Sequence, residues 1–151
     1  MSEKNYDFRK RHWAYHKPDR RNFSRTVMPD EVQFDETWSL GSDADPDSIC
    51  GIAIRDFRDY LETSMGVSLR LVKEPGEKVF WISVEESLEK GFVLDVKENT
   101  ASLTVAKDDL AFRATIHLED LMNLEEAPVL KKGQQKRTPI YQTRVVHSGS
   151  G

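Results

Sequence analysis

Two pairs of adjacent acidic residues are the first candidates for chemistry in this 151-residue chain. They are Asp30-Glu31, which follows a proline, and Asp35-Glu36, which falls in a predicted strand. A carboxyl group acts as a general acid near neutral pH only when a desolvated pocket raises its pKa. The sequence around the two pairs supplies no such pocket. We therefore interpret both pairs as solvated surface acids and expect no catalytic residue in the chain.

Histidine and cysteine side chains offer metal-binding or nucleophilic chemistry at three further positions. His12 and His16 are four residues apart, so in a helix they would share a face and could hold one metal ion. No third ligand is near in sequence and Pro18 limits any helix, so we expect no metal and no cofactor. Cys50 is the single cysteine, which excludes an internal disulfide. Without a histidine nearby to act as a base, Cys50 is predicted to be a small buried residue.

The charge of the chain is divided unevenly between its N-terminus and the rest. Residues 1–26 carry eight basic and three acidic side chains, a net charge of +5, whereas the remainder carries −9. Such a basic arm could bind nucleic acid or a membrane surface. We favour docking of the arm on an acidic partner or on its own acidic body, since that body would repel phosphate. Nucleic acid is therefore not an expected partner.

Length and hydrophobicity limit the possible classes of protein. A chain of 151 residues is expected to form one domain and is too short for a (β/α)8 barrel, which needs about 250 residues. No apolar run approaches the roughly 20 residues that cross a bilayer, so we expect no membrane partner. The polar N-terminus lacks the apolar stretch of a signal peptide, which favours a cytoplasmic location.

Hydrophobic periodicity predicts an α+β fold: a small, mostly antiparallel (mixed) sheet with two helices packed on one face. One helix is expected to begin at Asp45-Pro46 and end at Gly66, and a second to cover 108–123. Alternating residues predict strands over 31–40, 67–72, 79–84, 92–96 and 101–105, with 140–146 as a last strand or connector. Strands 92–96 and 101–105 are predicted to form a hairpin. This organisation divides the chain into an arm (1–29), an α+β domain (30–136) and a connector (137–151).

Six segments, taken in order, resemble a domain that precedes the catalytic barrel in family 20 glycoside hydrolases (β-N-acetylhexosaminidases) and in α-glucuronidases. They are 53–61 and 65–67, similar to the first helix and turn; 91–96 and 101–105, similar to the hairpin; 112–122, similar to the second helix; and 138–144, similar to the connector into the barrel. The resemblance covers about residues 32–144. One departure is in the second helix, where the family often has glycines and this chain has Leu110, Ala111 and Ala114.

The resemblance implies an accessory domain without its own activity, in a hexosaminidase-like parent enzyme. It implies a catalytic (β/α)8 barrel in cis as partner, and carbohydrate as the substrate of the parent. In the family an arginine at the start of the first barrel strand holds sugar hydroxyls. Arg144 matches that position by its spacing from Pro139, so it is the one expected substrate-binding residue.

Two other functions remain open. The chain could be a stand-alone carbohydrate- or protein-interaction module, in which Trp38, Trp81 or the aromatic arm stacks on sugar rings. Strand positions favour a core role for both tryptophans. The basic arm could alternatively bind nucleic acid, which would make the binding steeply salt-dependent.

Overall fold

The computed structural model describes residues 16–18 and 20–138. These residues form eight strands, two α-helices and two short 3-10 turns, Glu86–Leu88 and Asp108–Leu110. In chain order the strands and helices are β1 (Glu31–Gln33), β2 (Ser39–Gly41), α1 (Ile49–Met65), β3 (Arg70–Val72), β4 (Val79–Val84), β5 (Phe92–Val96), β6 (Ala101–Val105), α2 (Ala111–Glu125), β7 (Val129–Lys131) and β8 (Gly133–Arg137). No helix in the described part of the chain has the length and apolar character needed to cross a membrane.

The strands form one large mixed sheet and one small sheet. The large sheet has the order β3-β2-β4-β6-β5-β8, and β1 pairs with β7 in an antiparallel ribbon. The α+β class, the mixed sheet and the two helices are confirmed. The expected predominance of antiparallel pairing is wrong for the large sheet, where three of the five pairings are parallel. Helix α1 forms a crossover that returns the chain from β2 to β3 in the same direction. Strand β6 lies between β4 and β5, so that it runs antiparallel to its hairpin partner β5 and parallel to β4.

Both helices cover one face of the large sheet. Along β4, β5 and β6 buried residues alternate with half-buried ones, so a single face of each strand enters the core. The helices pack on this face and against each other. Phe80 of β4 joins the layers, because its ring lies 5.2 Å from that of Phe34 and 6.0 Å from that of Phe57 in α1.

The single strand predicted over 31–40 is wrong, because the segment forms two three-residue strands in different sheets. A turn at Asp35 separates them. The Asp35 carboxylate accepts hydrogen bonds from the backbone N–H of Thr37, at 3.0 Å, and from the Thr37 hydroxyl. The backbone N–H of Trp38 donates to the Asp35 carbonyl at 2.9 Å. A short acidic side chain that bonds to the backbone two residues on is a turn-former, and here it overrides the alternating pattern.

Helix α1 begins later than Asp45-Pro46, which instead form the turn before it. Ser48 is the N-cap, and its hydroxyl accepts a hydrogen bond from the Gly51 N–H at 3.0 Å. The end of the helix is as predicted: Gly66 has φ of 70°, a left-handed conformation that suits glycine.

The other predicted strands and the second predicted helix agree with the structure to different degrees. The hairpin of β5 and β6 is confirmed residue for residue. Strand β3 is shorter than predicted, and α2 extends two residues beyond 123. Two strands, β7 and β8, were not predicted from the sequence. The strand or connector predicted over 140–146 lies outside the described residues.

Candidate functional site

The described part of the basic arm crosses the C-terminal end of α1. The backbone N–H of Arg20 donates to the Ser64 carbonyl at 3.1 Å, and the Ser64 hydroxyl donates to the Lys17 carbonyl at 2.7 Å. The Arg21 guanidinium donates to the Met65 carbonyl at 3.1 Å. The last carbonyls of a helix lack partners within the helix and carry partial negative charge, so a basic segment is well placed there. This part of the arm docks on its own body.

The arm then reaches the end of α2 and the small sheet. The Asn22 N–H donates to the Glu126 carbonyl at 2.8 Å. Farther on, the Arg25 guanidinium pairs with two carboxylates, those of Glu31 in β1 and Glu125 at the end of α2. These contacts explain how part of the positive charge of the arm is balanced by acids of the domain.

At the start of the described arm, His16 meets two acidic side chains from the two helices. Its Nε2 lies 3.3 Å from Oδ1 of Asp56 in α1. One ligand atom each of His16, Asp56 and Glu119, which belongs to α2, lies within 4.8 Å of the others. Asp59, one turn along α1 from Asp56, places Oδ2 3.8 Å from His16 Nε2. We call His16, Asp56 and Glu119 the interhelical cluster.

Glu119 is the most unusual member of the interhelical cluster. Its side chain is enclosed, with 9% of the residue surface exposed, and Oε2 has no hydrogen-bond partner among the described residues. The pKa of Glu119 is raised to about 8, mainly by burial; His16 opposes the shift, and the nearby carboxylates, of which Asp56 acts most strongly, contribute to it. Near neutral pH this carboxyl group therefore holds its proton far more readily than an exposed glutamate.

The pKa of His16, the histidine in the cluster, is also raised. Burial alone would lower the pKa of His16, but the hydrogen bond to Asp56 and the charges of Asp56, Glu119 and Asp59 outweigh it, so the pKa is raised. The raised pKa means that the acidic groups between the helices favour the imidazolium form of His16.

Tyr60 and Asn123 support the cluster from the helix interface. The Tyr60 hydroxyl donates to Oδ1 of Asn123 at 2.6 Å and lies 3.2 Å from the Glu119 carbonyl oxygen, linking α1 to α2. The His16 ring meets the Tyr60 ring edge-on, with centroids 5.4 Å apart. Burial raises the pKa of Tyr60 above its ordinary value, so the phenol stays protonated and remains a donor. The rings hold His16 in place without adding a reactive group.

The chemistry available to the interhelical cluster is that of a ligand set. An imidazole nitrogen and carboxylate oxygens are donors for divalent metal ions. The cluster is less suited to acid–base catalysis on a sugar, because Glu119 Oε2 is sealed from solvent. Two clefts elsewhere have volumes of about 120 Å³, between β2, β3 and α1, and about 80 Å³, beside α2 and β7. Both are below the roughly 300 Å³ at which ligand pockets begin.

The acid pairs singled out from the sequence are separated by the fold. Interpretation of Glu31 as a solvated acid is wrong: its side chain is 1% exposed because it pairs with Arg25, whereas Asp30 is 64% exposed. Asp35 forms the turn after β1, and its pKa is lowered because the Thr37 hydrogen bonds outweigh its burial. Glu36 is exposed and accepts weakly, at 3.4 Å, from the Ser68 N–H.

The other candidates have mixed outcomes. Cys50 is fully buried as predicted, and burial raises the pKa of its thiol to about 11. Trp38 lies in the core, while Trp81 is half-buried on the face of the large sheet away from the helices. Arg144 and His12 lie outside the described residues, so their roles stay predictions.

Sequence reasoning found His16 but missed its partners. Asp56 and Glu119 are 63 residues apart, and each has polar neighbours that make it look like part of a solvated helix face. One signal was available for Glu119. It follows Leu118 and lies four residues after Thr115 and three before Met122, all of them buried, so its position belongs to the inner stripe of α2.

Comparison with known proteins shows likeness in structure without likeness in sequence. No family model matches the chain, and no curated protein matches its sequence. Among solved structures, the chain is similar to the GH20 β-N-acetylhexosaminidase from Streptomyces coelicolor A3(2), with a TM-score of 0.53 and 18% identity over 76% of this chain. It is also similar to CpGH84D, with a TM-score of 0.55 and 15% identity over 75% of this chain. The likeness is one of fold. The chain corresponds to 24% of the first structure and 22% of the second.

Proposed function

We propose that this chain is a non-catalytic accessory domain of a glycoside hydrolase-like protein that acts on carbohydrate, with N-acetylhexosamine-containing glycans as the expected substrate class. The supporting observation is the fold shared with about a quarter of each of two larger chains, one of them a β-N-acetylhexosaminidase. A domain that matches only a fraction of such chains fits a role beside a catalytic barrel, which needs about 250 residues of its own.

The use of its side chains supports the same role. The most strongly perturbed carboxyl group of the described residues, Glu119, faces a helix interface and the arm instead of an open cleft. Glu31 is held by Arg25. A glycoside hydrolase needs acids that reach the glycosidic oxygen or the anomeric carbon. In this proposal those acids belong to the barrel, and the present domain provides structural support.

The size and activity of the endogenous polypeptide test the proposal. An antibody raised against residues 30–136 should detect a polypeptide at least about 250 residues longer than this chain. That polypeptide, once captured, should hydrolyse 4-nitrophenyl N-acetyl-β-glucosaminide, while the recombinant 151-residue chain should not. Detection of only a 17.4 kDa polypeptide, or turnover by the purified recombinant chain, would overturn the proposal.

Trp81 favours a second candidate, a stand-alone carbohydrate-binding module. Its ring is half-buried on the open face of the sheet, in register with Ser102 of β6, which in turn pairs with Asp95 of β5. An aromatic ring with a hydroxyl group on the adjacent strand and a carboxylate on the strand after it offers stacking and hydrogen bonds to a sugar. Calorimetric titration with N-acetylglucosamine oligomers tests it: binding that Trp81→Ala abolishes supports the module, and no binding by the parent chain rejects it.

A further inference from the structure

We propose that His16, Asp56 and Glu119 form a binding site for one divalent metal ion of the zinc type, which fastens the N-terminal arm to the two helices. The three ligands come from the arm, α1 and α2. The site is independent of the carbohydrate role proposed above, and it differs from the expectation from sequence that the chain holds no metal.

The spacing of the donor atoms is the first support. Two ligands on a tetrahedral zinc ion lie about 3.3 Å apart, as follows from metal–ligand distances of about 2.0–2.2 Å. His16 Nε2 and Asp56 Oδ1 are already separated by 3.3 Å. One carboxylate oxygen of Glu119 lies within 4.8 Å of a ligand atom of each of these residues, so a side-chain rotation that closes at most about 1.5 Å would complete three ligands.

The unpartnered oxygen of Glu119 is the second, independent support. The residue is about nine-tenths buried, and its Oε2 atom has no hydrogen-bond partner among the described residues. Buried polar atoms of proteins nearly always have a partner, so an orphan of this kind requires an explanation. A cation held between Glu119, Asp56 and His16 supplies that partner.

The donor set and charge favour a particular class of ion. Imidazole with carboxylates suits zinc and similar transition ions better than magnesium or calcium, which prefer oxygen ligands alone. The acidic groups of Asp56 and Glu119 together match a divalent charge. Asp59, with Oδ2 3.8 Å from His16 Nε2, or a water molecule can take the fourth position.

An ion in this site would act as a cross-link. Its ligands are separated by 40 residues between His16 and Asp56, and by 63 residues between Asp56 and Glu119. Because binding requires all three segments to be in place, the metal stabilises the docked arm and the helix pair together.

Zinc titration of the chelator-treated 151-residue protein tests the site. We expect one equivalent of Zn²⁺ to bind, measured by competition with a chromophoric chelator, and to raise the melting temperature. His16→Gln, Asp56→Asn and Glu119→Gln should each lower the affinity at least about tenfold. Glu74→Gln, an exposed acid, and His117→Gln, whose ring lies against Phe92, serve as matched controls and should change it less than about twofold.

Glu119→Gln is the decisive variant, because it keeps the side-chain volume and removes a carboxyl group that is costly to bury, so it should fold. Circular dichroism checks that fold. Zn²⁺ binding that survives Glu119→Gln, that depends on His12 instead, or that is weaker than about 0.1 mM overturns the site. X-ray absorption at the zinc edge should show nitrogen and oxygen ligands only. A sulfur ligand would point to Cys50 and contradict the proposal.

Discussion

The Arg25 guanidinium holds the Glu31 carboxylate through two hydrogen bonds, from Nη1 to Oε1 at 3.0 Å and from Nη2 to Oε2 at 2.7 Å. The Met28 N–H donates to the same carboxylate at 3.0 Å. Arg25 also reaches Oε1 of Glu125 at 2.6 Å. One guanidinium thus joins the arm and strand β1, which are neighbours in sequence, to the end of α2, which is 100 residues away. A two-pronged pairing of this kind is the strong form of an ion pair, and it is sheltered here by the enclosed Glu31 side chain.

Glu31→Gln should therefore destabilise the domain, whereas its neighbour Asp30 provides a matched control. Removing one member of an enclosed pair leaves the Arg25 charge poorly compensated, and we expect a loss of about 2 kcal/mol, between the values of exposed and fully buried pairs. Asp30→Asn breaks only an exposed contact with Lys131 and should cost less than about 0.5 kcal/mol. Urea unfolding of both variants measures the difference. If both variants lose the same free energy of unfolding, the pairing of Arg25 with Glu31 stabilises the domain no more than an exposed ion pair does.

The same pairing predicts the acid side of the stability profile. The hydrogen bonds from Arg25, opposed by burial and aided by the Met28 N–H, lower the pKa of Glu31 below its ordinary value of 4.5. The folded state then binds fewer protons than the unfolded state, so this contribution is fully present above pH 4.5 and is lost as the pH falls through the folded pKa. We expect Glu31→Gln to lose less stability than the parent chain between about pH 5 and pH 3. If the free energy of unfolding of the two proteins falls equally steeply over this range, the lowered pKa of Glu31 does not contribute to acid unfolding and the prediction is wrong.

Local patterns in the sequence predicted the elements whose signals are local. The helix α1 has a continuous apolar face that ends at Gly66, and the β5–β6 hairpin has strict alternation on both sides of a polar turn. These signals lie within one helix or one hairpin. The parallel direction of β2, β3, β4 and β6 and the pairing of β1 with β7 depend on contacts between distant segments, which periodicity does not report.

The candidate site was less predictable for the same reason. His16 stood out by residue type, but the sequence offered only His12 as its companion. Asp56 and Glu119 reach His16 because α1 packs beside α2 and the arm lies across them, a relationship visible only after folding. For Glu31 the partner was close in sequence but was still missed. Glu31 was interpreted as a solvated acid because it lies next to another acid, whereas a turn brings Arg25 to its carboxylate.

Asp108 should stabilise the start of α1 although it lies about sixty residues away. Its Oδ2 accepts from the Ile49 N–H at 3.0 Å and its Oδ1 from the Cys50 N–H at 2.8 Å, both donors that have no partner within the helix. The negative charge also suits the helix N-terminus. We expect Asp108→Ala to cost about 1–2 kcal/mol in urea unfolding and to speed amide exchange at Ile49 and Cys50.

The adjacent Asp109 provides the control for that loss. It is exposed in the same 3-10 turn, and Asp109→Ala should change the stability by less than about 0.5 kcal/mol. If both variants lose the same stability, the effect belongs to the turn before α2 and not to the capping of α1.

Gly51→Ala should lower the free energy of unfolding, although a glycine-to-alanine change inside a helix usually raises it. Alanine ordinarily stabilises a helix interior by about 1 kcal/mol. At Gly51, however, an added Cβ would lie only 2.2 Å from the Asp45 carbonyl oxygen and 2.9 Å from the Pro46 Cα, both backbone atoms of the preceding turn. Because the turn must shift or α1 must move, we expect a net loss of roughly 2 kcal/mol in urea unfolding.

Gly76→Ala is the matched control for this close approach. The nearest atom to its added Cβ is Val79 Cγ2 at 4.0 Å, and its backbone does not require a left-handed conformation. The change should therefore be neutral or slightly stabilising, through reduced freedom of the unfolded chain. If Gly51→Ala is as stable as Gly76→Ala, the Asp45-Pro46 turn does not lie against α1. Because this turn also lines the cleft between β2, β3 and α1, that cleft would then lack one of its walls.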